Sequence, residues 1–367
     1  MSKKKKIIIT LSFIGAAICF GAPIKESELQ KLKSSPEKVD WLSPIKTEDS
    51  GMMIYWPAHS SKKAMKRSCR KMLYAIKNFP KSKNYPVYMM ELCHNLVELE
   101  EDGLAIFWLN KLSKEPDLAK FPTRAHWMSE VKNARKKADY LLLKVYARNH
   151  FKGKALKLIA SLKPEISKEY LMIAEAYAVL GMKSGALKTL KHCITSGEHI
   201  KYKGLPGPMN PGWTMNQKAT TRASAAVLAF GLGNLELAKK IAAPVLNDKE
   251  LKNHKWSSRR KSWMILNDIY QQKNTLSLKN LKDGTYTGSS QGYVDEVEAT
   301  VIVKAGKINE IKITYNSEDR PYNAVSAIPA RMKKSKNVSV DAVSGATVTC
   351  NAICMAIYKA LLGAPQK

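Results

Sequence analysis

Hydrophobic positions follow a helical period through most of this chain and change to strict alternation only beyond residue 282. The helical pattern predicts helices over Ala64–Phe79, Val87–Leu99 and Leu104–Leu112, with a break at Asp102-Gly103. Residues 24–60 hold Pro36, Pro44 and Pro57 among mixed charges and predict a loose lead-in with at most a short helix. Further on, the run from Tyr146 to Lys157 (YARNHFKGKALK) recurs from Tyr177 to Lys188 (YAVLGMKSGALK), an offset of 31 residues. Each copy predicts a helix carrying Tyr, a short turn, and a second helix opening near Ala. The small Ala admits a close neighbour, and Tyr fills the groove beside it. Pro164 falls between the copies, where a second helix must stop. Asp102-Gly103-Leu104-Ala105 and Gly233-Asn234-Leu235-Glu236-Leu237-Ala238 read as degenerate copies of the turn and second helix, and Ser262–Tyr270 as a closing helix. Gly204–Gly212 (GLPGPMNPG) is too rich in Gly and Pro for a regular element and predicts a loop, a repeat insertion with Trp213 tucked under it, with a loop that covers a ligand as the alternative; the basic run Ser257–Lys261 predicts a solvated helix start.

The alternating part begins after a boundary at 276–282. Val297, Ala299, Val301 and Val303 occupy one face of a strand, with Glu296, Glu298, Thr300 and Ile302 on the other. Ala305-Gly306 makes a tight turn, and Ile308–Tyr315 returns with Ile311, Ile313 and Tyr315 alternating. A helical stretch over Ala324–Lys334 comes next. A closing helix then carries Ile353, Met355, Ala356, Ile357, Ala360 and Leu361, ending near Gly363 with Pro365 just beyond. Hairpin and closing helix predict an α+β core, the helix laid on a sheet. The organisation expected is therefore a signal peptide (1–22), a lead-in (23–61), a helical-repeat domain (62–275), a linker (276–282) and a small α+β domain (283–367).

The chemistry concentrates just before the closing helix, in DAVSGATVTCNAI from Asp341 to Ile353. A helix start leaves backbone N–H groups unpaired at the positive end of the helix dipole, which suits a phosphate. Gly345 and Ala346 lack bulk, so a ligand can approach the backbone. A hydroxyl at Thr347 stands where a phosphoester would form. The plainer reading is an N-capped helix, with Ser344 or Thr347 bonding the free amides. The order from DGTYTG at Asp283 to SGATVT at Ser344 decides between them, because it resembles the FMN-binding domain family. That domain occurs in the C subunit of the sodium-pumping NADH:quinone reductase, the G subunit of the Rnf complex and many exported flavoproteins. The resemblance covers the last quarter of the chain. It implies FMN esterified through its phosphate to Thr347 by a dedicated FAD:protein FMN transferase, which reads an Asp three residues before the Ser, here Asp341. It also implies recognition and turn roles for Asp341 and Ser344, close approach at Gly345 and Ala346, and a flavin-facing loop at Tyr322 and Asn323. Thr349 is expected to cap the helix within the cofactor site. Cys350 stands where the family usually has Ser.

The remaining composition narrows the setting. MSKKKK followed by the apolar run Ile7 to Ala22 predicts a signal peptide, since sixteen residues fall short of the ~20 a spanning helix needs. The mature chain would start near Ala22, and an uncleaved membrane anchor is the alternative. Cys69, Cys93, Cys193, Cys350 and Cys354 lie downstream, too scattered for a disulfide framework, with Cys350 and Cys354 read as packing residues. There is no Cys-x-x-Cys-His for a c-type haem, no His spacing for a metal and no G-x-G-x-x-G for a nicotinamide cofactor. The formal charge is +30; ten Lys+Arg against eight Asp+Glu from Asp283 onward give +2 there, so +28 resides in residues 1–282. Inside a cell that balance suggests nucleic acid. With export expected, no nucleic acid partner is, and an anionic envelope surface, an acidic polymer or an acidic protein takes its place beside the plain alternative of a solvated basic surface.

The helical repeats resemble tetratricopeptide hairpins, whose usual period is 34, with an irregular helical bundle as the alternative. The combined expectation is an α-helical repeat (tetratricopeptide-like solenoid) domain followed by a small FMN-binding domain. The chain would be an exported, periplasmic or envelope-associated electron carrier that docks redox partner proteins through its repeats. Two alternatives stand beside it: a flavin-dependent reductase with its substrate between the domains, and an interaction scaffold with a vestigial flavin domain.

Overall fold

The structure is a computed structural model describing residues 42, 62–82, 84–114, 134–196, 211–249, 252, 258–278, 281–318, 323–335, 338, 340 and 346–364. The expected signal peptide, nearly all of the lead-in, the loop over 204–210, Tyr322 and the segment 341–345 lie outside these residues. The first part is helical: α1 (Lys62–Asn78), α2 (Tyr85–Glu98), α3 (Asp102–Lys114), α4 (Ala134–Arg148), α5 (Lys152–Ser161), α6 (Ser167–Val179), α7 (Lys183–Leu190), the single turn α8 (His192–Thr195), α9 (Pro211–Gly231), α10 (Leu235–Leu246) and α11 (Ser258–Gln271). The end of the chain adds β1 (Gly284–Gln291), β2 (Glu296–Lys304), β3 (Lys307–Tyr315), α12 (Ala324–Ser335) and α13 (Thr347–Leu362). Among the described residues, no helix is long and apolar enough to cross a membrane.

Four helix pairs, α2–α3, α4–α5, α6–α7 and α9–α10, close with the same turn. In each, one residue adopts a left-handed conformation two positions before the second helix: Glu100 (φ 60°), His150 (58°), Gly181 (73°) and Gly233 (69°). The next amide reaches back to the first helix, from Glu101 to Leu96 O, Phe151 to Tyr146 O, Met182 to Tyr177 O and Asn234 to Ala229 O, at 2.8–3.0 Å. This pairing satisfies the last carbonyls of the first helix and turns the chain sharply. Both degenerate copies read from the sequence, at Asp102 and Gly233, are therefore real hairpins. The helix begins at Asp102 itself, and the break falls one turn earlier. In the two clear copies, Ala155 and Ala186 are fully buried as expected. Gly185 lies under the Tyr177 ring, where an added Cβ would stand 3.0 Å from it. One local expectation needs correction: Gly212 and Trp213 are not loop but the first turn of α9, which opens on Pro211, the helix position proline fits best.

The sheet has the order β1-β2-β3, antiparallel throughout. Val297, Ala299, Val301 and Val303 form its buried face, as alternation predicts. Ala305 (φ 51°) and Gly306 (70°) make the β2–β3 turn, and Asp283 fixes it by accepting both their amides at 2.8 and 2.9 Å. Strand β1, not anticipated, comes from the DGTYTG stretch itself. Its Gly288 lies against the α13 backbone, where a Cβ would come within 2.4 Å of Ala356 O and Ala360 N.

Helix α13 packs on this sheet, and α9 and α11 cover its other side. It buries thirteen of its sixteen residues, as a helix that is apolar all round should. One apolar cluster consequently runs from Leu171 through α9–α11 and the sheet to Ala364, and includes Leu276 and Leu281 of the segment between the two parts. Tyr358 anchors the seam. Its ring meets Phe230 edge-on at 6.0 Å, its hydroxyl donates to Val338 O at 2.8 Å, and it lies over Gly231, where a Cβ would come within 2.3 Å of that hydroxyl.

Candidate functional site

Thr347 is the first residue of α13 and is half-buried. Ala346 precedes it at the N-cap position, buried, with φ −112° and ψ 29°, and among the described residues no side chain caps this end. Alanine cannot cap, because it has no side-chain acceptor. The first backbone bond into the helix runs from Cys350 N to Ala346 O at 2.8 Å, so the amides of Thr347, Val348 and Thr349 have no partner within the helix. These donors, the positive end of the dipole and the Thr347 hydroxyl meet at one place. That arrangement fits a phosphate esterified at Thr347.

Thr349 behaves differently from the expectation. It does not cap the helix; its hydroxyl is buried and donates to Glu318 Oε2 at 2.5 Å. The other carboxylate oxygen, Glu318 Oε1, accepts the Val294 amide at 3.2 Å. Glu318 thus ties three elements together: the end of β3, the turn between β1 and β2, and the first turn of α13. Gly292 makes room for it, since a Cβ there would lie 2.2 Å from Glu318 Oε1. Lys261 of α11 donates to Val294 O at 3.3 Å. Partial burial lowers its ammonium pKa below the ordinary value, against the pull of Asp295 and Glu318. Sequence reading missed Glu318. The only signal was an acid closing the last strand, which has no meaning until the turn and the helix are brought to it.

Behind α13 lies a cavity of about 20 Å³ between Glu175, Ser224, Val340, Asn351, Cys354 and Tyr358. It has room for one water and none for an isoalloxazine ring. Asn351 crosses this seam, donating to Ser224 Oγ at 3.1 Å. Cys350 and Cys354 are buried packing residues, and burial pushes the Cys354 thiol far above its ordinary pKa. Of the sequence-predicted site residues, Ala346, Thr347 and Thr349 are brought together at the start of α13. Asn323 starts the turn into α12 with a left-handed φ of 62°. Asp341, Ser344, Gly345 and Tyr322 belong to the undescribed segments that lead to these two points.

Comparison with known proteins agrees with this location. Residues 292–362 match the FMN-binding domain family, so the chain carries an FMN-binding domain at its C-terminal end. An uncharacterised protein of Treponema pallidum (strain Nichols) is 35% identical over 88 residues, 23% of this chain and 24% of that protein. The similarity therefore spans about a quarter of either protein. No solved structure matches.

Proposed function

We propose that this protein is an exported electron carrier holding FMN covalently through a phosphoester on Thr347. The observation that carries the reading is a helix start whose N-cap residue, Ala346, supplies no cap, with a threonine hydroxyl on its first turn, inside a segment that matches the FMN-binding domain family. Bound FMN supplies one- and two-electron transfer, linking two-electron donors to one-electron chains. The protein's own residues do the holding. The amides of Thr347, Val348 and Thr349 face the phosphate, Gly345 and Ala346 let it approach, and Glu318 fixes the helix start to the sheet through Thr349. Asp341 and Ser344 serve recognition by the FAD:protein FMN transferase. Outside the cytoplasm a dissociating cofactor would be lost to dilution, and the ester prevents that. The tetratricopeptide-like hairpins dock redox partner proteins.

Coexpression with the transferase tests the reading. The protein should be yellow and its denatured gel band fluorescent. Thr347→Ala should fold and lose the band's fluorescence, and Thr347→Ser should keep part of it. A fluorescent denatured Thr347→Ala band would reject the assignment.

A further inference from the structure

Helix α1 carries seven cations and no acid in seventeen residues. Lys62-Lys63, Lys66-Arg67 and Arg70-Lys71 come as adjacent pairs four residues apart, followed by Lys77. At 3.6 residues per turn these fall on one half of the helix. Met65, Cys69, Met72 and Ile76 lie on the other half and, with Leu73 at the edge of the basic half, are buried in the first hydrophobic core. Lys62, Lys63, Arg67 and Lys77 are exposed and Lys66, Arg70 and Lys71 half-buried, so the basic half forms a ridge about 25 Å long, at 1.5 Å per residue. Glu101 in the α2–α3 turn feels Lys66 and Lys62 and offsets part of the charge at one end. The other end is aromatic. Tyr74 lies within the basic half and meets Phe79 edge-on at 6.2 Å, and Phe79 is 52% exposed, the highest value among the exposed large apolar side chains of the described residues.

We infer that α1 is a docking ridge for an anionic lipid bilayer, with Lys62, Lys63, Arg67 and Lys71 on the headgroup phosphates and Phe79 entering the interface. Protein partners are met by apolar and aromatic centres with charges at the rim. Here the cations fill the face and the aromatic pair stands at its tip, the pattern of segments that lie on anionic membranes. The inference does not depend on the flavin reading, and either can fail alone.

Lysine-acylation footprinting of the full chain tests it, with vesicles of phosphatidylcholine with and without phosphatidylglycerol. Anionic vesicles should protect Lys62, Lys63 and Lys71 at least severalfold relative to neutral ones, and leave Lys152, Lys157, Lys183 and Lys188 unchanged. Salt should abolish the protection. Replacing Lys62, Lys63, Arg67 and Lys71 by Gln should weaken the phosphatidylglycerol-dependent part of binding by about tenfold or more. The same four changes at Lys152, Lys157, Lys183 and Lys188 should weaken it far less. Phe79→Ser should weaken it by a smaller factor, with the fold checked by circular dichroism. Equal effects of the two quadruple variants would reduce the ridge to net charge and overturn the inference. So would uniform protection, no dependence on phosphatidylglycerol, or α1 protection by duplex DNA or an acidic protein but not by vesicles.

Discussion

Two buried regions of this molecule are fixed by different means. In the first core, Glu98 and Asp102 reach from the α2–α3 hairpin to Lys144 and Arg148 on α4. The Glu98–Lys144 pair spans 3.0 Å with side chains 3% and 15% exposed, and Asn149 adds a bond to Asp102 at 2.5 Å. At the α13 seam the ion pair Lys359–Asp268 stands at the rim, 2.6 Å long and partly exposed. Inside, the contacts are small residues against backbone and ring, at Gly288 and Gly231, with Asn351–Ser224 as a buried polar link. Charge pairs fix the register of two neighbouring hairpins. Close approach fixes a helix between a sheet and two other helices. The first device is sensitive to pH and to loss of a partner, the second to single added atoms.

The largest effect should follow from adding bulk at the seam. Gly288→Val drives its Cβ into the α13 backbone, which cannot yield, and should cost more than ~4 kcal/mol. Soluble protein should be lost, or the C-terminal part become protease-labile while α1–α4 persist. Near-native melting of this variant would mean that the strand and helix are not in such contact.

Breaking the charge pair comes next. Lys144→Met removes the ion-pair partner of the buried Glu98 carboxylate and should cost about 3 kcal/mol near neutral pH. Burial alone would raise the Glu98 pKa, but Lys144, His94 and Arg331 together bring it down to about 2 from an ordinary 4.5. The stability this contributes is present above the unfolded value and lost as pH falls towards the folded one. The gap between wild type and Lys144→Met should therefore shrink on acidification below about pH 4, because Glu98 can then take a proton. Denaturant titrations across that range measure it; a gap that is constant with pH would remove Glu98 from the account.

Smaller changes sharpen the contrast further. Glu318→Gln keeps the shape but removes the charge from two hydrogen bonds, and should cost about 1–2 kcal/mol. Hydrogen exchange should rise in the 292–295 turn and the first turn of α13, and remain unchanged in α1–α4. Arg331 of α12 donates to Glu100 Oε1 at 3.0 and 3.1 Å, a contact that ties the C-terminal unit to the first hairpin. Glu100 is 40% exposed by side chain, so Glu100→Gln should cost under ~1 kcal/mol, measured as a small shift in thermal midpoint.

Much of this was legible in the sequence. Local signals gave most helices to within a turn, the buried face of β2, the Ala305-Gly306 turn and the place of Thr347. The 31-residue repeat was visible because the α4–α5 and α6–α7 hairpins follow each other directly. The other hairpins share the same left-handed turn, but residues 115–133 and 197–210 intervene and destroy the period. Strand β1 was missed because Thr, Ser and Gly give no apolar alternation; its place comes from pairing with β2 and from Gly288 lying on α13. The pairing of Glu318 with Thr349 joins residues 31 apart, and no local propensity encodes such a contact. The α13 pattern, apolar all round, tells that both its faces are covered but not that α9 and α11 cover the second.

The central claim is the ester at Thr347, and fragmentation of the tryptic peptide 337–359 from transferase-exposed protein tests it most directly. Four aliphatic hydroxyls lie in that peptide, at Ser339, Ser344, Thr347 and Thr349, beside the phenol of Tyr358. The account predicts an added FMN phosphoryl group on Thr347 alone, lost in Thr347→Ala and not transferred to Thr349. FMN on Thr349 or a serine, or an unmodified peptide from active protein, would contradict it.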